Sequence, residues 1–207
     1  MEIKFEKAAT LKEKPADESK LGFGKIFTDH MFIMDYSDDC GWHDARIVPF
    51  GPIALHPAST VLHYGAEIFE GMKAYRTANG EISMFRPLEN IRRLNQSAER
   101  LCLPTIDEEA CLDILKTLVA LEKDWVPHAD GTSLYIRPYI YGNDPHLGVH
   151  AVHNATFVSR EEALQTFVAD HQEDEAFSGV RAEDLRHRFV VVLVDNTLMK
   201  QTEEEIK

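Results

Sequence analysis

All nine prolines and ten of the eleven glycines fall before residue 157, whereas residues 157–207 hold Gly179 alone. Proline fixes φ and removes a backbone donor, and glycine relaxes the backbone. A stretch punctuated this often builds short strands, turns and brief helices rather than a long bundle. Beyond 157 the chain changes character. Ser159–His171 reads as a polar helix, then come the acidic stretch Glu173–Glu175, an apolar strand-like run Phe189–Asp195 and a charged end.

In the punctuated part, His30–Tyr36 and Arg46–Phe50 read as strands. Gly71–Arg76 and Glu81–Phe85 flank Asn79-Gly80, where both turn residues tolerate positive φ, so they form a hairpin. After Pro87, a good helix opener, Ile91, Leu94, Ala98 and Leu101 recur at helical spacing and give a helix over Leu88–Cys102, with Arg92 and Arg93 off its apolar stripe. Thr105 with Glu108 reads as a capping box for a second helix that buries Cys111, Leu112, Leu115, Leu118 and Val119 and ends before Pro127. A strand Ser133–Tyr141 follows. This order gives an α+β domain with helices on one face of a mainly antiparallel sheet.

Twenty-two basic against 35 acidic residues make a net charge of −13, with the cations scattered, which excludes a nucleic-acid backbone as partner. The apolar run Phe189–Val194 is too short to span a bilayer and the Met1–Lys14 stretch is charged, so no membrane role and a cytoplasmic address are expected. Three cysteines at irregular spacing indicate reduced, mostly buried thiols rather than a disulfide or zinc framework. No dinucleotide, P-loop, nucleophile-elbow or zincin motif occurs. His146, His150 and His153 are close in sequence, but Pro145, Gly148 and two valines argue against a helical metal face, and Cys40 with His43 lacks a second pair, so no metal site is assigned. Arg92 and Arg93 are either a solvated helix face or the capture point for a phosphate. Phe23, Tyr64, Phe69 and Tyr135 are either core or the lining of an apolar pocket.

A series of short runs carries a resemblance: Phe23–Met31, Leu55–Thr60, Leu62–Gly65, Phe69–Arg76, Met84–Pro87, Arg100–Pro104, Asp124–Pro127, Gly131–Pro138 and Leu147–Val149. In this order and spacing they resemble the N-terminal half of branched-chain amino-acid aminotransferases, pyridoxal-phosphate enzymes of fold type IV. The resemblance covers residues 20–157. It implies an N-terminal arm over 1–19, a small domain over 20–157 and an unmatched tail, helix then strand, over 158–207. It further implies pyridoxal 5'-phosphate as cofactor, with Arg93 on its phosphate, and a substrate pocket lined by Phe23, Tyr64, Phe69, Tyr135 and Val149, with Arg137 near its end. Amino transfer between leucine, isoleucine or valine and 2-oxoglutarate is the implied reaction, in a homodimer or beside a full-length aminotransferase subunit.

The resemblance stops before the second domain, where the family keeps its catalytic lysine and the acidic partner of the pyridine nitrogen. Lys200 stands near the expected spacing, yet Glu203–Glu205 follow it instead of a Gly-Gly-Asn-Tyr-like stretch. No catalytic residue is therefore assigned, and the chain is expected to be truncated and inactive alone. The alternative is a non-catalytic binding or dimerisation module derived from that enzyme. A type IV lyase or D-amino-acid aminotransferase shares the fold but not the runs Phe69–Arg76 and Arg100–Pro104.

Overall fold

A computed structural model describes residues 2–165 and 191–193. Among the described residues nine strands form one sheet: β1 (Lys4–Phe5), β2 (His30–Ser37), β3 (Gly41–Pro49), β4 (Glu67–Phe69), β5 (Met72–Arg76), β6 (Ile82–Phe85), β7 (Thr132–Gly142), β8 (Asn154–Gln165) and β9 (Val191–Leu193). Their order is β1-β3-β2-β8-β7-β5-β6-β9, with β4 also on β7, and every pairing but β1 with β3 is antiparallel. The helices are α1 (Thr60–Tyr64), α2 (Pro87–Arg100) and α3 (Glu108–Leu121), with a 3-10 turn at Lys123–Trp125.

Period-two alternation sorts the sheet into two faces. On one, Phe32, Ala74, Met84, Leu134, Ile136, Ile140 and Phe157 pack against Ile91, Leu94 and Ala98 of α2 and Leu115 and Leu118 of α3 in the main core. On the other, Met31, Ile33, Tyr141 and Val158 meet Val61 of the one-turn α1 in a smaller cluster. The expected α+β plan, with the two long helices on one face, is the one observed.

The Asn79-Gly80 hairpin joins β5 to β6 with Ala74 opposite Met84, and Gly80 has φ +81°. Pro138 sits inside the central strand β7 because the neighbouring chain is interrupted there. β4 ends at Phe69, β5 begins at Met72, and the Pro138 carbonyl accepts from Glu70 N at 2.9 Å on that side, where a donor on residue 138 has no strand to serve. Lys12 and Lys14 are tied to the residue before β2: Asp29 accepts from Lys12 N (2.7 Å), Lys14 Nζ (3.0 Å) and Trp125 Nε1 (2.8 Å).

Three local expectations are corrected. The second helix is capped by Asp107, which accepts from Ala110 N at 2.8 Å, and not by Thr105, because Ile106 is buried and its amide is held by Asn95, so the chain turns only afterwards. Asp107→Ala is therefore expected to cost about 0.5–2 kcal/mol in chemical denaturation and Thr105→Ala a few tenths at most. Cys40 and Cys102 are exposed, and only Cys111 is buried, its thiol pushed up to about 12 by burial and by nearby Asp107. Ser159–Gln165, read as the start of a helix, is the second half of β8, because β7 pairs with all of it and the Ile26–Thr28 segment bonds to its other edge, and these pairings override a polar helical pattern. The remainder of that expected helix, residues 166–171, lies outside the described residues, as does Lys200. Within the apolar run, Val191–Leu193 is a strand on β6.

Candidate functional site

The interruption between β4 and β5 positions the site. Glu70 and Gly71 occupy it, and Glu70, 7% exposed, turns its carboxylate toward α2. There Asn90 and Arg93, three residues apart on one helix face, meet it. Arg93 donates to Glu70 through Nε (2.5 Å) and Nη2 (2.7 Å), Asn90 Nδ2 donates at 3.1 Å, and Gly71 N at 3.2 Å. Burial alone raises the Glu70 carboxyl, but the Arg93 fork, Asn90 and the Gly71 amide outweigh it and hold it below the usual carboxylate range. The Arg93 guanidinium, raised chiefly by its bond to Glu70, remains 61% exposed, and among the described residues only Glu70 engages it. A cation anchored along one edge and open along the other fits an oxyanion such as a phosphate. Arg92, its sequence neighbour, is spent on surface pairs with Glu89 and Glu108.

Gly71 connects this anion end to an aromatic end. Tyr135, paired with Lys73 across β5 and β7, packs so closely on Gly71 that a Cβ there would overlap the phenol oxygen. That oxygen accepts from Arg137 Nε (3.0 Å) and Nη2 (2.6 Å). The Arg137 guanidinium lies 4.4 Å from the Phe69 ring centre, and Phe23 meets Tyr135 edge-on at 5.7 Å. Four of the expected pocket residues, Phe23, Phe69, Tyr135 and Arg137, thus form one contact chain that reaches Arg93 through Gly71 and Glu70.

Tyr64 and Val149 form a second group. Tyr64 ends α1, where Gly65 takes up φ +61°, and its hydroxyl accepts from Gly148 N at 3.0 Å, beside Val149. Buried Asp144 accepts from Asn154 N (3.0 Å) and Asn154 Nδ2 (2.9 Å), fixing the root of the loop that presents Val149. Phe23, Tyr64 and Phe69 are about half exposed, so the reading of these three aromatics as core is overturned, and Val149 is 93% exposed. The three histidines of this loop stack in parallel, with 4.1 Å between the rings of His146 and His150 and 5.8 Å between those of His150 and His153. His43 Nδ1 faces the carbonyl of Gly41, and no cluster of three metal-ligating side chains occurs among the described residues.

Sequence reasoning gave Arg93 a role but none to Glu70, Asn90 or Gly71. The available signal was the acid directly before a glycine between two strand-like runs, a place where a side chain leaves the sheet.

Residues 148–207 match the family model of the FtsX extracellular domain. The chain is 51% identical over 170 residues to branched-chain-amino-acid transaminase 1 of Bacillus subtilis (strain 168), a match covering 82% of this chain and 48% of that protein. It is 54% identical over 151 residues to branched-chain-amino-acid aminotransferase 2 of the same organism, covering 73% and 41%. The chain spans about half the length of the curated relatives it matches. Among solved structures, the T.th. branched-chain amino acid aminotransferase with pyridoxamine 5'-phosphate superposes with a TM-score of 0.51 at 25% identity, over 66% of this chain and 40% of that one. The same enzyme complexed with N-(5'-phosphopyridoxyl)-L-glutamate gives the same score and identity.

Proposed function

This chain belongs to the branched-chain amino-acid aminotransferase family, of which it carries the N-terminal half, and we propose that it forms the small-domain side of a site for amino transfer between leucine, isoleucine or valine and 2-oxoglutarate. The observation that carries the reading is the continuous contact chain from Arg93 through Glu70, Gly71 and Tyr135 to Arg137 and Phe69. It sets an anion-binding cation at one end of an apolar, aromatic wall.

Pyridoxal 5'-phosphate, when bound, supplies the aldehyde and the electron sink of the reaction. Arg93 binds its phosphate. Phe23, Phe69 and Tyr135, with Tyr64 and Val149, exclude water from the branched side chain and select it by apolar contact, at about 1–3 kcal/mol per methylene. Arg137 clamps the Tyr135 hydroxyl and orients that wall. No lysine of the described residues stands in a Gly-Gly-Asn-Tyr-like context, so in this reading the Schiff-base lysine comes from outside them, and a full-length aminotransferase subunit is the partner that supplies it. No helix among the described residues is long and apolar enough to cross a membrane.

We divide the chain into an arm (1–19), the small aminotransferase domain (20–157) and an unmatched tail (158–207). The loss of proline and glycine at 157 supports the division.

Purified protein titrated with pyridoxal phosphate is expected to bind it reversibly, to lose that binding in Arg93→Gln, and to show no turnover of leucine with 2-oxoglutarate. Binding indifferent to Arg93 would overturn the cofactor role. A borohydride-fixed adduct on Lys200 together with turnover would overturn the inactive reading.

A further inference from the structure

We propose that Glu70 is the positioning residue of the anion site: it grips Nε and Nη2 of Arg93 so that the remaining edge of the guanidinium is held ready for the cofactor phosphate. The inference rests on the reading of Arg93 as the phosphate arginine. An exposed arginine has several rotatable bonds, and freezing it on a ligand loses their entropy. Glu70 removes that loss beforehand, because it is fixed at both ends. Its backbone N donates to Pro138 O at 2.9 Å, and its carboxylate takes four donors, from Arg93 twice, Asn90 and Gly71. Asn90 Nδ2 also donates to Gly71 O at 3.1 Å, which ties the helix face to the same strand break.

Two effects of Glu70 oppose each other. Its negative charge weakens the pull of Arg93 on a dianion, while its grip orients the fork. Arg93 stands largely in water, where charge is screened, and Glu70 is buried, where geometry is held; orientation therefore outweighs charge. The sign of one substitution decides between them.

The full chain, Glu70→Gln, Glu70→Asp, Arg93→Gln and the double variant Glu70→Gln/Arg93→Gln are compared by titration with pyridoxal phosphate and with inorganic phosphate, followed by phosphorus NMR. Thermal unfolding confirms that each is folded. Glu70→Gln is expected to bind about tenfold more weakly, Glu70→Asp to recover part of the loss, and the double variant to match Arg93→Gln, because Glu70 acts only through Arg93. In parallel, the Arg93 Nε–H resonance is expected to exchange slowly with water in the parent protein and fast in Glu70→Gln. Unchanged or tighter binding in Glu70→Gln, or a double variant weaker than Arg93→Gln by the same factor, overturns the proposal. If the parent protein binds neither ligand, the cofactor reading falls, and the Nε–H resonance alone judges the grip. Slow exchange abolished by Glu70→Gln supports it, and fast exchange in both proteins overturns it.

Discussion

A Glu161→Val variant is expected to be more stable than the parent chain at pH 7, by about 2–4 kcal/mol, and to lose much of that advantage toward pH 4. Glu161 lies on β8 between β7 and the Ile26–Thr28 segment, on the same face as Phe157, and is wholly buried. Neither carboxylate oxygen has a hydrogen-bond partner among the described residues, and the nearby Ser159 Oγ is in the same position. Burial first, and the charge of Glu122 second, push its carboxyl well above the ordinary value. Glu122 is already committed: it accepts from the amides of Asp29 and His30 and from His30 Nδ1 at 2.6 Å, with His30 Nε2 in turn accepting from Ala8 N. It offers Glu161 nothing.

The sign follows from proton linkage. A carboxyl whose folded pKa lies above its unfolded value, about 4.3, binds more protons in the folded state between the two values. Its penalty is absent below the unfolded pKa and grows as pH rises toward the folded one. Asp29 and Glu70, held low by their donors, run in the opposite sense and lose stability in acid, so the parent curve alone would blur the two. The difference between variant and parent isolates Glu161. Valine matches glutamate in volume and suits a strand, which limits cavity and strain terms. Glu161→Gln separates the parts further: it should recover the pH-dependent gain and leave the cost of an unpaired polar group. Urea denaturation from pH 4 to 8 reads both. A difference that is flat with pH, or a less stable valine variant throughout, would show that Glu161 is neutral or satisfied.

The same strand shows how far local pattern reaches. Up to Val158 the sequence alternates in the way that the sheet requires, and the hairpin at Asn79-Gly80, α2 behind Pro87 and the strand ending at Tyr141 were all legible because local chemistry and tertiary demand agree there. From Ser159 they disagree. Ser-Arg-Glu-Glu has no strand propensity, and only β7 on one side and the Ile26–Thr28 segment on the other, both far away in sequence, make it one. The three-residue β4 and the two-residue β1 are likewise fixed by partners and leave too short a trace for periodicity to reveal. For the site, Arg93 was visible as a cation off an apolar stripe. Its anchor was not, since a bond between residues 23 positions apart has no period. The exposure of Phe23, Phe69 and Val149 was invisible for the converse reason: composition marks a residue as apolar without saying whether anything covers it.

Gly71→Ala is expected to destabilise the chain by about 1–3 kcal/mol and to disconnect the anion end of the site from its aromatic end. Gly71 is not held at positive φ, so the cost is one of space. A Cβ would overlap the Tyr135 hydroxyl and stand 3.0 Å and 3.1 Å from Cζ and Cε2 of the ring. The ring cannot simply swing away. Its hydroxyl takes two donors from Arg137, that guanidinium is stacked on Phe69, and Phe23 covers the ring edge. Displacing Tyr135 therefore breaks the clamp as a unit, whereas moving Gly71 instead would pull its amide from Glu70 and loosen Arg93. Tyr135→Phe removes the worst contact but leaves the other two, so the double variant Gly71→Ala/Tyr135→Phe should cost less than the sum of the single variants, with a coupling of about 0.5–3 kcal/mol. Denaturation of the four proteins measures that coupling. Strict additivity would mean that the backbone at the strand break yields freely, and the glycine would then have no part in holding the two ends of the site together.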